Sequence, residues 1–210
     1  WSGKAVGAGK TTREMLRPKT WEGSRSLPAI DAFPSNGSLM RCSPLGLYFG
    51  AYREVRPWMV RRMSEVTHRH HLAGECCIAY IAILTRLLQG ADPEDAIADA
   101  RPLIAEPEVL GVLKHPLIHP RCPDEWPGTG AAVLTLHAAL WALRLTRSFQ
   151  EGITRVVELG GDTDTYAAVA GGLLGARYGM GGIPADWREI LLGRDRLEEM
   201  ANRLHDVVLA

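Results

Sequence analysis

The chain offers a partner no excess charge, because its 24 Lys and Arg balance 24 Asp and Glu. No segment concentrates Lys and Arg among aromatics, which excludes the electrostatic footprint of a nucleic-acid or membrane-surface binder. A small, localised ligand is the expectation instead. Cysteine is scarce: Cys42, Cys76, Cys77 and Cys122 form no C-x-x-C pair, which suits neither a disulfide framework nor a zinc site. A reducing cytoplasm is the location this cysteine usage implies. Residues 1–17 are Gly-rich and basic, without the apolar core of a signal peptide. The longest apolar stretch with few charges, residues 166–183, is largely Ala and Gly and is broken by Arg177, so no membrane span is expected. Alternating strand patterns are nearly absent, and no Asp-Asp pair occurs anywhere. The first residue is Trp1, not Met, and it stands partway through what reads as a loop and polar helix, so the chain is expected to be incomplete at its N-terminus.

What is present is helical periodicity, and the class expected is all-α. Thr67 is placed to cap a helix through Leu72, Cys76, Ile78, Ala79, Ala82, Ile83 and Leu87, with Gly90 as its stop. Asp92-Pro93-Glu94-Asp95 restarts a helix at once, with a cap, a proline at the first position and acids in the first turn. Prolines at 102, 107, 116, 120, 123 and 127 restrict residues 101–127 to turns and short helical pieces. A buried helix is predicted over 130–147, a shorter amphipathic one over 149–159, another over 166–179, and terminal ones over 186–191 and 194–208. In the helix over 166–179, Ala167, Gly171, Gly175 and Gly179 lie four apart, a small-residue face that would let a neighbouring backbone approach. Residues 1–210 are expected to form one domain, since a chain of this length builds one sizeable core.

The chemistry centres on Gly160-Gly161-Asp162-Thr163-Asp164-Thr165. Two carboxylates two residues apart, in a glycine-led turn that runs into an apolar helix, can converge on one point while Thr165 adds a hydroxyl. Hard cations such as Mg²⁺ bind this kind of oxygen cluster. The alternative is that Thr163 or Asp164 merely caps the following helix; the paired glycines and the Ala/Gly-rich helix behind them favour metal.

With its small-residue helix ending in Gly175-Ala176-Arg177-Tyr178-Gly179, this motif closely resembles the C-terminal metal motif of the ADP-ribosylglycohydrolases. The resemblance extends over nearly the whole chain. Gly7-Ala8-Gly9-Lys10-Thr11-Thr12-Arg13 looks like the family's glycine loop, and Asn36-Gly37-Ser38-Leu39-Met40-Arg41 like its N-G-x-x-M-R segment. Thr67-His68 resembles its T-H helix start, and residues 183–204 its closing helices. Five such segments in the family's order make the match specific.

The resemblance implies an orthogonally packed multi-helix domain and hydrolysis of the N- or O-glycosidic bond of an ADP-ribosylated protein or a small ADP-ribose conjugate. It places Asp162 and Asp164 in catalysis. Together with Thr165 they would be ligands of a binuclear Mg²⁺ site, with Mn²⁺ possible. Gly7 and Gly9 would bring backbone N–H groups to a diphosphate, and Asn36, Gly37, Ser38, Met40 and His68 would line the ribose and phosphate pocket. The family's first metal motif, T-D-D-T near the N-terminus, has no counterpart in these residues, in keeping with a chain that lacks its N-terminal segment. A non-catalytic ADP-ribose-binding module, or a structural relative such as the crystallins recruited from this family, is the alternative.

Other features are set aside. Gly9-Lys10-Thr11 lacks the preceding strand and the first glycine of a Walker loop. His115 and His119 lie four apart but are each followed by a proline, and Cys76 and Cys77 fall mid-helix as core residues. Arg41 is a candidate for either a phosphate contact or a buried ion pair.

Overall fold

The computed structural model describes residues 9–18, 20, 22–23, 33–52, 55–115 and 130–209. The described residues are helical, with no β-strand beyond one isolated bridge, so the chain is all-α. Gly7, Cys122, His119 and Pro127 lie outside the described residues.

The element at the centre is dictated by composition. Helix α4, His71–Leu88, follows α1 (Lys10–Leu16), α2 (Ser43–Tyr52) and α3 (Pro57–Glu65). Fifteen of its 18 residues are buried, as expected of a helix apolar on all sides. It is the one described helix long and apolar enough to cross a membrane, yet 83% of it is covered by the rest of the chain. The burial assigns it to the core, and corrects the choice of 166–183 as the leading apolar stretch. Around it pack α2, α3, α5 (Pro93–Ala100), α7 (Ala132–Leu145) and α9 (Thr163–Tyr178). Helix α6 (Pro107–Lys114) covers α7, and α8 (Phe149–Glu158) lies against α7 and α9. The short α10 (Ala185–Glu189) and α11 (Arg194–Leu209) close the chain, α11 against α2.

Several boundaries follow the local rules. At the end of α4, the Gly90 N–H donates to the Leu87 carbonyl (3.0 Å) and that of Ala91 to Arg86 (3.0 Å), a Schellman closure with Gly90 at φ +84°. The Asp92 carboxylate accepts from the Glu94 N–H at 2.9 Å and so caps α5. Ser148 Oγ accepts from the Glu151 N–H (3.1 Å) at the start of α8. The start of α4 differs from expectation: its cap is His70, whose Nδ1 accepts from the Leu72 N–H at 3.2 Å. Thr67 does not cap it, because the helix begins only at His71 and its N-cap position falls three residues beyond Thr67, whose hydroxyl lies 2.7 Å from His68 Nδ1.

The small-residue face of α9 also differs. An added Cβ would meet nothing within 4 Å at Gly175 and only Ile153 Cδ1, at 3.6 Å, at Gly171. Close approach falls instead at Gly172, where a Cβ would sit 2.0 Å from the Tyr80 hydroxyl of α4. The neighbour is the tip of a side chain, not a backbone, so a single glycine makes the room.

Candidate active site

Two distant segments are stitched together beside α9. Ser35 and Ala131 form an antiparallel bridge, with the Asn36 N–H donating to the Gly130 carbonyl (2.9 Å) and the Ala132 N–H to the Pro34 carbonyl (2.8 Å). This fixes the turn 35–38 against the N-terminus of α7. The turn continues into a 3₁₀ segment, Leu39–Arg41, as the Met40 N–H reaches the Asn36 carbonyl (3.1 Å).

Gly160 and Gly161, both at φ +73°, form the approach to α9. This left-handed backbone strains any residue with a Cβ. Asp162 then takes the N-cap position without making a side-chain cap bond. Its carboxylate turns the other way: Oδ2 accepts from Asn36 Nδ2 at 2.7 Å, and Oδ1 from the Thr165 hydroxyl at 3.1 Å. Asp164 Oδ1 accepts from the Thr165 N–H at 2.9 Å. The N-cap position thus falls on Asp162 and not on Thr163 or Asp164, and no side-chain cap bond is made there.

Asp162, Asp164 and Thr165 line one cleft of about 300 Å³ together with Asn36, Gly37, Met40 and His68. Gly9 and Lys10, at the start of α1, form another wall. Gly37 lies so close to the His68 ring that an added Cβ would come within 2.7 Å of Cε1 and Nε2. The backbone at Gly9 has φ −61°, open to any residue, and an added Cβ would meet nothing, so the fold itself makes no demand for glycine there. Ser38 does not line the cleft. It is fully buried beneath it, 2.8 Å from Ser64 Oγ and 3.5 Å from the Cys77 thiol.

The thiols below the floor are core residues. Burial pushes the Cys42 and Cys76 thiols well up, whereas a hydrogen bond from Cys42 holds Cys77 below the ordinary thiol range despite its burial. Arg41 forms no ion pair among the described residues; its guanidinium donates to the backbone carbonyls of Gly37 (3.2 Å) and Met63 (3.3 Å).

Ser35 and Thr135 belong to no motif legible along the chain. Thr135 reads as one polar residue in an apolar helix, and its meaning appears only when Asn36 is placed beside it. Ser35 lines the cleft, yet its hydroxyl is enclosed without a partner. An unpaired buried hydroxyl is destabilising, so Ser35→Ala should stabilise the ligand-free chain by about 1 kcal/mol, or roughly 2–4 °C in Tm at this chain length. A thermal melt showing a lower Tm would mean that the hydroxyl has a partner after all.

The family model for ADP-ribosylglycohydrolase matches residues 1–209. The chain belongs to the ADP-ribosylglycohydrolase family. Among its relatives, the ADP-ribosylarginine hydrolase Tri1 of Pseudomonas putida is 31% identical over 98% of this chain and 55% of its own length. The ADP-ribosyl-[dinitrogen reductase] glycohydrolase of Rhodospirillum rubrum is 28% identical over 99% of this chain and 67% of its own. A solved structure of an ADP-ribosylglycohydrolase-related protein complex superposes with a TM-score of 0.81 at 34% identity, covering 95% of this chain and 69% of that one. The chain thus spans roughly half to two thirds of the relatives it matches.

The donor set of the cleft suits a hard cation. Two carboxylates and a hydroxyl are oxygen ligands, as Mg²⁺ prefers, and Mg²⁺ commonly keeps several waters. Among the described residues no group of three or more His, Cys, Asp or Glu gathers at one point.

Proposed function

We propose that the cleft binds the ADP-ribosyl group of an ADP-ribosylated protein or small conjugate, and that the protein hydrolyses the glycosidic bond to its acceptor. The observation carrying this reading is the convergence of Asp162, Asp164 and Thr165 with Asn36 and His68 on one cleft, in a chain of this family. Asp162, Asp164 and Thr165 would hold Mg²⁺, or Mn²⁺ in its place. When bound, such an ion polarises ribosyl hydroxyls and lowers the pKa of a water at the anomeric carbon. The chain's own residues fix the geometry around it. Asn36 holds one oxygen of Asp162 and Thr165 holds the other, so this carboxylate stays aimed while the substrate enters. His68 lines the cleft beside Gly37, with its Nδ1 2.7 Å from the Thr67 hydroxyl. Lys10 brings a positive charge to the wall where a diphosphate would lie.

Arginine is the acceptor to try first, since the Pseudomonas relative is an ADP-ribosylarginine hydrolase. Binding without turnover is the second reading, and the presence of only two carboxylates at the cleft among the described residues favours it. The deciding experiment incubates the chain with an ADP-ribosylarginine protein, with Mg²⁺ and with chelator, and follows free ADP-ribose. Mg²⁺-dependent release supports hydrolysis. Binding of ADP-ribose by calorimetry without release supports the module, and neither binding nor release would overturn both readings.

A further inference from the structure

Behind the cleft stands Thr135 of α7, with none of its surface exposed. One atom of the Asn36 side chain lies 2.7 Å from Asp162 Oδ2 and 2.9 Å from Thr135 Oγ1. That atom must be the amide nitrogen, because an amide oxygen would face a carboxylate oxygen at 2.7 Å, acceptor against acceptor. The nitrogen carries two hydrogens, and each has its own acceptor. The Thr135 hydroxyl has one hydrogen, which it donates to the Ala131 carbonyl a turn earlier, at 2.9 Å. Towards Asn36 the hydroxyl can therefore only accept. The relay has one sense: Thr135 donates to Ala131, and Asn36 donates to Thr135 and to Asp162. The Asn36 backbone is pinned independently by its bond to Gly130, so the orientation of the amide about its last torsion is the freedom that Thr135 removes.

We propose that Thr135 is a positioning residue: by accepting from Asn36 it locks the amide with its N–H towards Asp162, and so holds that carboxylate aimed into the cleft. The proposal rests on the reading of the cleft as a cation and ADP-ribose site. Without the Thr135 acceptor one amide hydrogen is left without its partner and the bond to Asp162 alone orients the side chain, so the carboxylate is held less firmly in its place. Thr135→Val keeps the branched shape and removes the acceptor, whereas Thr135→Ser keeps the acceptor and removes a methyl group.

The test titrates Mn²⁺ into the wild-type, Thr135→Val and Thr135→Ser chains, and follows hydrogen exchange of the Asn36 side-chain amide by NMR. Thr135→Val should weaken Mn²⁺ binding about tenfold, the lower end of what losing an outer-shell partner does, and should speed Asn36 amide exchange by a similar factor. Thr135→Ser should stay within about twofold of wild type in both. An unchanged Thr135→Val chain overturns the proposal. So does a Thr135→Ser chain as impaired as Thr135→Val, since the lost methyl and not the acceptor would then matter. A wild-type chain that binds no Mn²⁺ while its Asn36 amide is protected by Thr135 would refute the cation reading and leave the lock standing.

Discussion

Asp162→Ala should lower the Mn²⁺ affinity of the cleft by at least about a hundredfold, since even partners one shell out from a metal are worth 10- to 100-fold. The loss should be larger than for Asp164→Ala, because Asp162 has two tasks. It offers its own lone pairs, and its two oxygens tie Asn36 to the first turn of α9 through bonds of 2.7 and 3.1 Å. Removing it frees the Asn36 amide and the Thr165 hydroxyl together. The change in folding stability should be small, as the freed donors face a cleft that water can enter. Metal titration and a thermal melt on the same samples separate the two effects. If Asp162→Ala bound Mn²⁺ like the wild type, the assignment of this carboxylate as a ligand would be wrong.

Gly172→Val should cost more stability than any change at the cleft, roughly 3 kcal/mol or beyond, the upper range for overpacking a core. A single Cβ would stand 2.0 Å from the Tyr80 hydroxyl, and Tyr80 has no exposed surface into which it can withdraw. Its hydroxyl shares a hydrogen bond with Ser43 Oγ at 3.0 Å, and burial pushes the phenol's pKa well up, so it stays a neutral partner to Ser43. Displacing it breaks that bond and wedges α4 from α9. The smaller Gly172→Ala should be partly rescued by Tyr80→Phe, which removes the obstructing oxygen. Denaturant unfolding of the double-mutant cycle should give a favourable coupling of about 0.5–3 kcal/mol. Strict additivity would show that the two sites do not meet.

Much of this was legible in the sequence wherever a rule concerns neighbours along the chain. The cap at Asp92, the stop at Gly90 and the apolar helix between residues 71 and 88 all follow from adjacent residues and their spacing. The same holds for the motif of the candidate site: Gly160 to Thr165 announces a turn with two carboxylates, and the turn is found. The rest depends on which distant residue arrives. Thr67 is a good cap by type, but the helix begins only at His71, and His70 does the capping. Glycines and alanine four apart on α9 suggested a backbone neighbour, whereas the close neighbour is a tyrosine tip at Gly172, off that stripe. Thr135 carried no signal at all, since its partner Asn36 is 99 residues away.

The bridge between Ser35 and Ala131 also bears on how the molecule comes to exist. Helices α4 and α5 can form and pair from contacts close in sequence, but the cleft requires segments near residues 35, 131 and 162 to meet. Closing loops of that size is entropically slow, and topologies rich in distant contacts fold more slowly than local ones. The cleft is therefore expected to assemble after the helices that carry it. Because the bridge and the Asn36 bonds share the same few residues, the cleft is expected to open as one cooperative unit and not by fraying residue by residue. A damaged contact at this seam therefore registers first as lost ligand capacity, in a chain that is otherwise folded.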